Sequence, residues 1–252
     1  VEVCSAGGEF PWLVAEAVQR QQQVGFVATG SDPRGIPAAT CPGAGDLVCC
    51  GGLTCVYAQA LTREAIWDAL RARRCYATTG ARILLDVDAD GHTMGQAYRA
   101  HRPPQFHIRV HGTVEIERVE IRRGTEVAYR YPPHDVGRPG WVRVVWGGAL
   151  ARDWPRQAPW DGILRVHNAR IRAAVPYGFA SPARGIFLSD ERSVSWRSTT
   201  AGNENGLLLD LVTEPEASLE FHVPLTSLKV TLEDLPHEKD LGGEGLHVRV
   251  EP

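Results

Sequence analysis

The period of the apolar residues changes once along this chain, near Arg82, and that change bounds the folds open to it. Before it, Leu13, Ala17 and Val18, and then Ile66, Ala69, Leu70 and Arg73, recur at helical spacing, which places each set on one side of a helix. After it, Phe106, Ile108 and Val110 alternate with His107, Arg109 and His111, the two-residue period of a half-buried strand. The first pattern builds α/β layers and the second builds packed sheets. The chain therefore reads as an α/β piece over 1–80 followed by an antiparallel β-sandwich domain over 81–252.

Within the first piece, Val1–Val3 is a short apolar β-type run. "FPWLVAEAVQRQQQ" follows, with Pro11 suited to a first helical turn, and "VGFVATG" reads as a second buried strand. A strand, a helix of about four turns and a strand predict one βαβ unit with parallel strands. "LTCVYA" is another short strand, and Thr62 caps the helix "REAIWDALRARR", whose Arg71, Arg73 and Arg74 complement the C-terminal dipole. One βαβ unit and one further helix cannot cover both faces of a parallel sheet, so this piece is expected to be the tail of a larger fold. Beyond Arg82, nine or so short strands are broken by Gly, Pro, Asn or Asp, and Arg123-Gly124 reads as a hairpin turn.

With 252 residues, 43% of them hydrophobic, there is material for one large or two modest domains. A net charge of −3 argues against a global nucleic-acid footprint. No apolar run approaches the ~20 residues that span a bilayer, so no membrane partner is expected. Arginine outnumbers lysine 25 to 2 in an Ala/Gly/Pro-rich chain, which reads as the codon bias of a GC-rich genome. "VEVCSAGGEF" has no basic and apolar signal regions and no initiator Met, so the chain is expected to begin inside something larger or to have been processed. The six cysteines, Cys4, Cys41, Cys49, Cys50, Cys55 and Cys75, match no paired C-x-x-C zinc pattern. They read as reduced thiols in a cytoplasmic compartment.

Candidate chemistry centres on "VGFVATGSDPRG", where Asp32 stands at the junction of a buried strand and its loop. That edge is where α/β proteins bind ligands and metals, although an Asx turn also places an acid there. Asp46, and Glu2 if its strand points it inward, are the other acids that could converge on it. All nine histidines lie at or beyond His92. His107 and His111 flank Arg109, and His167 follows Arg165; alternation of this kind marks the wet side of a sandwich. Residues 97–172 hold 14 arginines against 7 acids, a basic stretch that reads first as an ordinary exposed strand face and could otherwise receive an anionic partner or pack on an acidic region outside this sequence. Trp141, Trp146, Trp154, Trp160 and Trp196 could line a sugar-binding face or fill a core. No G-x-S-x-G, Walker A, H-E-x-x-H or dinucleotide fingerprint occurs.

"VEVCSAGGEFPWLVAEAVQRQQQVGFVATGSD" and "GGLTCVYAQALTREAIWDALRARRCYATTGARILLDVDADGHTMG" resemble the C-terminal half of large bacterial proteins in an uncharacterised branch of the PHP (polymerase and histidinol phosphatase) superfamily. The likeness is dense over 1–95 and thins over 96–252, where "WDGILRV" still fits. It implies a partial, distorted β/α barrel from enzymes that bind divalent metal (Zn, Mn or Mg) and hydrolyse phosphoesters or related bonds. Asp32 would be a metal ligand. The family's nearby His, within SD-x-H-(K/R)-G-R-P-G, is missing from "SDPRGIPA", with Arg34 near its place, and the family's early His-x-His motif is not in this sequence. The resemblance thus implies a fragment or truncated member of a metal-dependent hydrolase, inactive alone and binding no metal. Its partner would be the upstream barrel half, or a second copy meeting it through Leu13, Val14, Val18, Val24 and Phe26. The alternative is a non-catalytic sandwich module for protein or carbohydrate contacts.

Overall fold

The computed structural model describes residues 1–5, 7–30, 51–132, 140–151, 156–179 and 184–252. Most of them lie in strands, and the chain divides into two compact units, one holding the described residues up to 132 and the other those from 140 onward. That division and the change of period near Arg82 fall at different places.

In the first unit, β1 (Glu2–Ser5) turns through β2 (Gly8–Glu9) into α1 (Pro11–Gln19) and returns as β3 (Val27–Ala28). β1 and β3 pair in parallel, Glu2 opposite Val27 and Cys4 opposite Ala28, so the expected βαβ unit is present. Its helix has nine residues rather than four turns. Gln21 takes a left-handed φ of 53° and the Gln22 amide bonds back to the Ala17 carbonyl at 2.9 Å. The run Gln21–Gln23 offers nothing apolar to bury, so the helix stops before it. β4 (Leu53–Val56) and β5 (Cys75–Thr78) pair antiparallel on either side of α2 (Arg63–Arg71). The Thr62 hydroxyl accepts from the Ala65 amide at 3.2 Å, the cap the sequence places there.

The unit ends in two small amphipathic sheets. β6 (Leu84–Ala89) lies between β7 (His92–Thr93) and β8 (Phe106–His111), and β9 (Val119–Arg123) forms a hairpin with β10 (Glu126–Tyr131) through Gly124, φ +68°. Registers such as Val87 opposite Ile108 and Ile121 opposite Tyr129 collect the apolar residues of each sheet on one face.

The second unit is a β-sandwich made from one continuous sheet. Its strands are β11 (Trp141–Ala149), β13 (Gly162–Tyr177), β14 (Gly185–Ser189), β15 (Ser193–Arg197), β17 (Glu204–Val223), β18 (Thr226–Thr231), β19 (His237–Gly242) and β20 (Glu244–Glu251). A short ribbon joins β12 (Ala158–Pro159) to β16 (Thr199–Thr200). The sheet runs β14-β15-β13-β17-β11-β20-β19, with β18 on the second half of β17. Three strand spacings separate β15 from β11, about 14 Å in a flat sheet. The Trp196 and Trp146 rings they carry are nevertheless stacked at 4.8 Å. The sheet must therefore fold onto itself. The fold lies where the ladder jumps from His167–Ser218 to Ala169–Thr213, with Asn168 at φ 50° and Glu216 at φ 59°.

Val144, Trp146, Leu207, Leu209 and Val248 from one half meet Leu164, Val194, Trp196, Leu219 and Phe221 from the other in a single core. The indoles bring polar atoms into it, and each is satisfied. Trp146 Nε1 donates to Ser198 Oγ at 2.8 Å, Trp160 Nε1 to Thr200 Oγ1 at 2.8 Å, and Trp196 Nε1 to the Trp160 carbonyl at 2.6 Å. The Asn205 amide is oriented by its neighbours: its oxygen accepts from Ser198 Oγ at 2.8 Å and its nitrogen donates to the Gly178 carbonyl at 2.7 Å.

Trp196→Ala removes a ring from this closed stack and should lower the unfolding free energy by about 3–5 kcal/mol. Trp67→Ala, on a ring that is 59% exposed, should change it by no more than about 0.5 kcal/mol. Urea denaturation of the two variants checks this; equal small losses would contradict the packing described.

Candidate functional site

The strand edge singled out by the sequence is built by backbone contacts. Beyond β1 and β3 the Thr29 amide donates to the Cys4 carbonyl at 3.0 Å, and the Thr29 carbonyl accepts from the Gly52 amide at 2.8 Å. Thr54 Oγ1 bridges the Ala28 amide and carbonyl at 2.9 and 2.7 Å. Glycine is required at this junction. A Cβ on Gly52 would lie 2.2 Å from that of Ala28, and one on Gly51, at φ +77°, 2.8 Å from the Gly30 Cα. The Glu2 carboxylate accepts from Thr29 Oγ1, so this acid is used in the edge itself. Asp32, Arg34 and Asp46 lie outside the described residues. Among the described residues no three His, Cys, Asp or Glu side chains come together to hold a metal ion.

The other sequence candidates scatter. His107, Arg109 and His111 lie on the exposed face of β8, where Arg109 pairs with Asp86 of β6 at 3.6 Å. His167 and His222 approach Glu220 at 3.3 and 3.8 Å, with Lys229 at 3.3 Å. The Lys229 and His167 side chains hold the Glu220 carboxyl below its usual range. Trp146, Trp160 and Trp196 are buried in the core and cannot present a sugar-binding face, Trp141 is half-buried, and Trp154 lies outside the described residues. Cys55 and Cys75 are free thiols.

One histidine that the sequence did not single out is built into a network. His247 Nδ1 faces the Gly245 carbonyl at 2.8 Å and its Nε2 faces Glu204 Oε1 at 3.0 Å. Both partners are acceptors, so only the doubly protonated ring donates to both. Arg249 Nη2 shares the same Glu204 oxygen at 2.8 Å. Burial pulls the His247 pKa down, but the Glu204 carboxylate and the Gly245 carbonyl outweigh it and leave the value raised.

Two concavities lie in the first unit. One of about 350 Å³ has a mixed lining, with Tyr57, Ala58, Val87 and Met94 beside Arg74 and Asp86. Burial and the Asp86 carboxylate push the Tyr57 phenol up. Beside it Tyr76, 5.7 Å from Tyr57 between ring centres, is pushed up to about 12 by burial and the neighbouring Cys55. Tyr76 donates to the Ile83 carbonyl at 2.7 Å and accepts from the Leu85 amide at 3.1 Å. Both phenols therefore stay neutral, and Tyr76 holds the entry to β6. The larger concavity, about 440 Å³, is an apolar groove between the apolar faces of β8 and the β9–β10 hairpin. Phe106, Ile108, Ile121, Tyr129 and Tyr131 line it, with Arg118 as its charged side chain. Tyr129 and Tyr131 are 58% and 62% exposed, so the groove keeps aromatic surface in water.

Comparison with known proteins adds kinship without chemistry. Residues 36–111 match a family model described as a protein of unknown function, DUF3604; its described part runs from β4 to the end of β8 and contains the smaller of these two concavities. An uncharacterised protein of Chlamydia pneumoniae is 34% identical over 126 residues, 48% of this chain and 20% of that protein. Uncharacterised proteins of Chlamydia trachomatis serovar D and Chlamydia muridarum are 30% and 29% identical over the same length. The chain thus aligns with about a fifth of the length of these curated relatives. No solved structure matches it.

The His247 network fixes a pH dependence. A folded pKa raised above 6.5 adds stability that is complete below 6.5 and is lost as pH rises through the folded value. Urea melts should show the wild type losing stability from about pH 6.5 upward. The same loss should be absent in His247→Gln, and a slope surviving that substitution would assign it elsewhere.

Proposed function

We propose that this chain is the C-terminal part of a PHP-like metal-dependent hydrolase, phosphoesterase-like in its chemistry and inactive alone. The observation that carries the reading is the parallel β1–α1–β3 crossover, whose carboxyl edge at Thr29–Gly30 leads directly into Ser31-Asp32. Open α/β sheets bind their ligands at that edge. Alignment with only a fifth of each longer relative is consistent with a site completed elsewhere. In this reading Asp32 is one ligand of a divalent ion, Zn, Mn or Mg, and the others come from segments outside this sequence. The partner is an upstream barrel half or a second copy, meeting the side of α1 where Val18 is exposed.

Cytoplasmic residence belongs to the same reading and is supported by the free thiols of Cys55 and Cys75. No helix among the described residues is long and apolar enough to cross a membrane. A second reading, a non-catalytic contact module, is favoured by the exposed tyrosines of the apolar groove.

Metal content and turnover of a generic aryl phosphate test the first reading. The chain alone should hydrolyse nothing above background with added Mn²⁺ or Zn²⁺, and Asp32→Ala should cost at most about 1 kcal/mol, as a lost cap would. Joined to the residues encoded upstream, the protein should gain turnover that Asp32→Ala lowers by at least about tenfold. Tight stoichiometric metal in the isolated chain, or turnover indifferent to Asp32 in the longer protein, would overturn it.

A further inference from the structure

The groove between β8 and the β9–β10 hairpin resembles the interior of a small sandwich whose last layer is missing. β8 is an edge of its three-stranded sheet, and β9 and β10 form a sheet of two. Each sheet therefore offers backbone N–H and C=O groups along an edge without a ladder partner in that sheet. The apolar faces turned inward are regular: Phe106, Ile108 and Val110 stand on alternate positions of β8, and Tyr129 and Tyr131 on alternate positions of β10. A two-residue repeat flanked by strand edges is complementary to another extended chain, which can add backbone hydrogen bonds at an edge and place every second side chain inward. The volume, about 440 Å³, is within the range of real ligand sites.

Charge narrows the occupant. Residues 99–131 contain seven arginines and no lysine, against four glutamates and no aspartate. Arg118 lines the groove and reaches Glu117 and Glu120 at 3.3 and 3.4 Å, and Arg122 and Arg130 crowd the same Glu120 at 2.8 and 3.4 Å, so three guanidiniums face two carboxylates. The Arg122 guanidinium, foremost among these, holds the Glu120 carboxyl below its usual range. A sugar ring would want several converging hydrogen-bonding groups beneath it, whereas this lining is mostly aliphatic and aromatic.

We propose that the groove binds an extended acidic peptide segment, with its alternate apolar side chains between β8 and β10 and its carboxylates toward the surrounding arginines. The surface is independent of the metal reading, because none of its residues lies at the β1–β3 edge.

The test uses the whole chain and a short fluorescein-labelled peptide alternating valine with glutamate, read by fluorescence anisotropy, with a valine–lysine peptide as counterpart. Saturable binding is expected, at least about tenfold tighter for the acidic peptide and weakened by added salt. The variant carrying Tyr129→Ser and Tyr131→Ser should melt where the wild type does, since both rings are exposed, and should lose at least about tenfold in affinity. Arg118→Gln should weaken the acidic peptide alone. Absence of saturable binding, equal affinity for both peptides, or full affinity in the double tyrosine variant would overturn the proposal. So would displacement of the peptide by a soluble oligosaccharide, or a dimer of this chain that the tyrosine substitutions dissolve, since each names a different occupant.

Discussion

The stack of Trp146 on Trp196, with Phe221 5.6 and 5.4 Å from them, is the contact on which the second unit depends. It joins strands that sit three apart in one ladder, and only a sheet that doubles back can bring them together. The ladder break at Asn168 and Glu216, both in left-handed backbone, follows from that demand, because an unbroken pair of long strands would keep the halves apart. The polar layer follows as well. Three indole N–H groups sealed from water each need an acceptor, and Ser198, Thr200 and the Trp160 carbonyl supply them. The Thr200 hydroxyl donates in turn to the Gly148 carbonyl at 2.7 Å, which ties the β12–β16 ribbon to β11.

Among its described residues the first unit has no counterpart to this core. Its fully or nearly buried apolar residues are small, among them Ala17, Ala28 and Ala69 with Cys4 and Cys75, and its sheets have two or three strands. Sheets that small leave apolar side chains at their margins, and here those are Phe106, Tyr129 and Tyr131. The unit with the weaker interior is thus the one with an apolar groove to offer. The second unit spends Trp146, Trp160 and Trp196 on its own core, so these three do not form the sugar platform that the sequence suggests.

Much of the local structure was legible in the residues. The βαβ unit followed from two apolar runs around a helical period, the α2 cap from Thr62, the hairpin from Arg123-Gly124, and the amphipathic β8 from its alternation. What the sequence could not convey was long-range. Alternation says that a strand has two faces, not which distant strand covers one of them, so Trp196 and Tyr129 look equivalent until the registers are known. The same limit hid His247, whose neighbours Glu204 and Gly245 reach it through a strand pairing and a tight turn. The β1–β3 edge was legible because its glycines and Thr29 are close in sequence to the strands they join. The acid that made it interesting, Asp32, lies outside the described residues.

The claim that the second unit is one sheet folded over a sealed aromatic layer is tested most directly by hydrogen exchange at the indole nitrogens, followed by NMR. The account predicts that the Trp146, Trp160 and Trp196 indole protons exchange only through global unfolding, with a shared dependence on denaturant, while the exposed Trp67 exchanges at the rate of a free indole. Exchange of Trp146 and Trp196 as fast as Trp67 would show that the two halves of the sheet do not close on one another, and would contradict it.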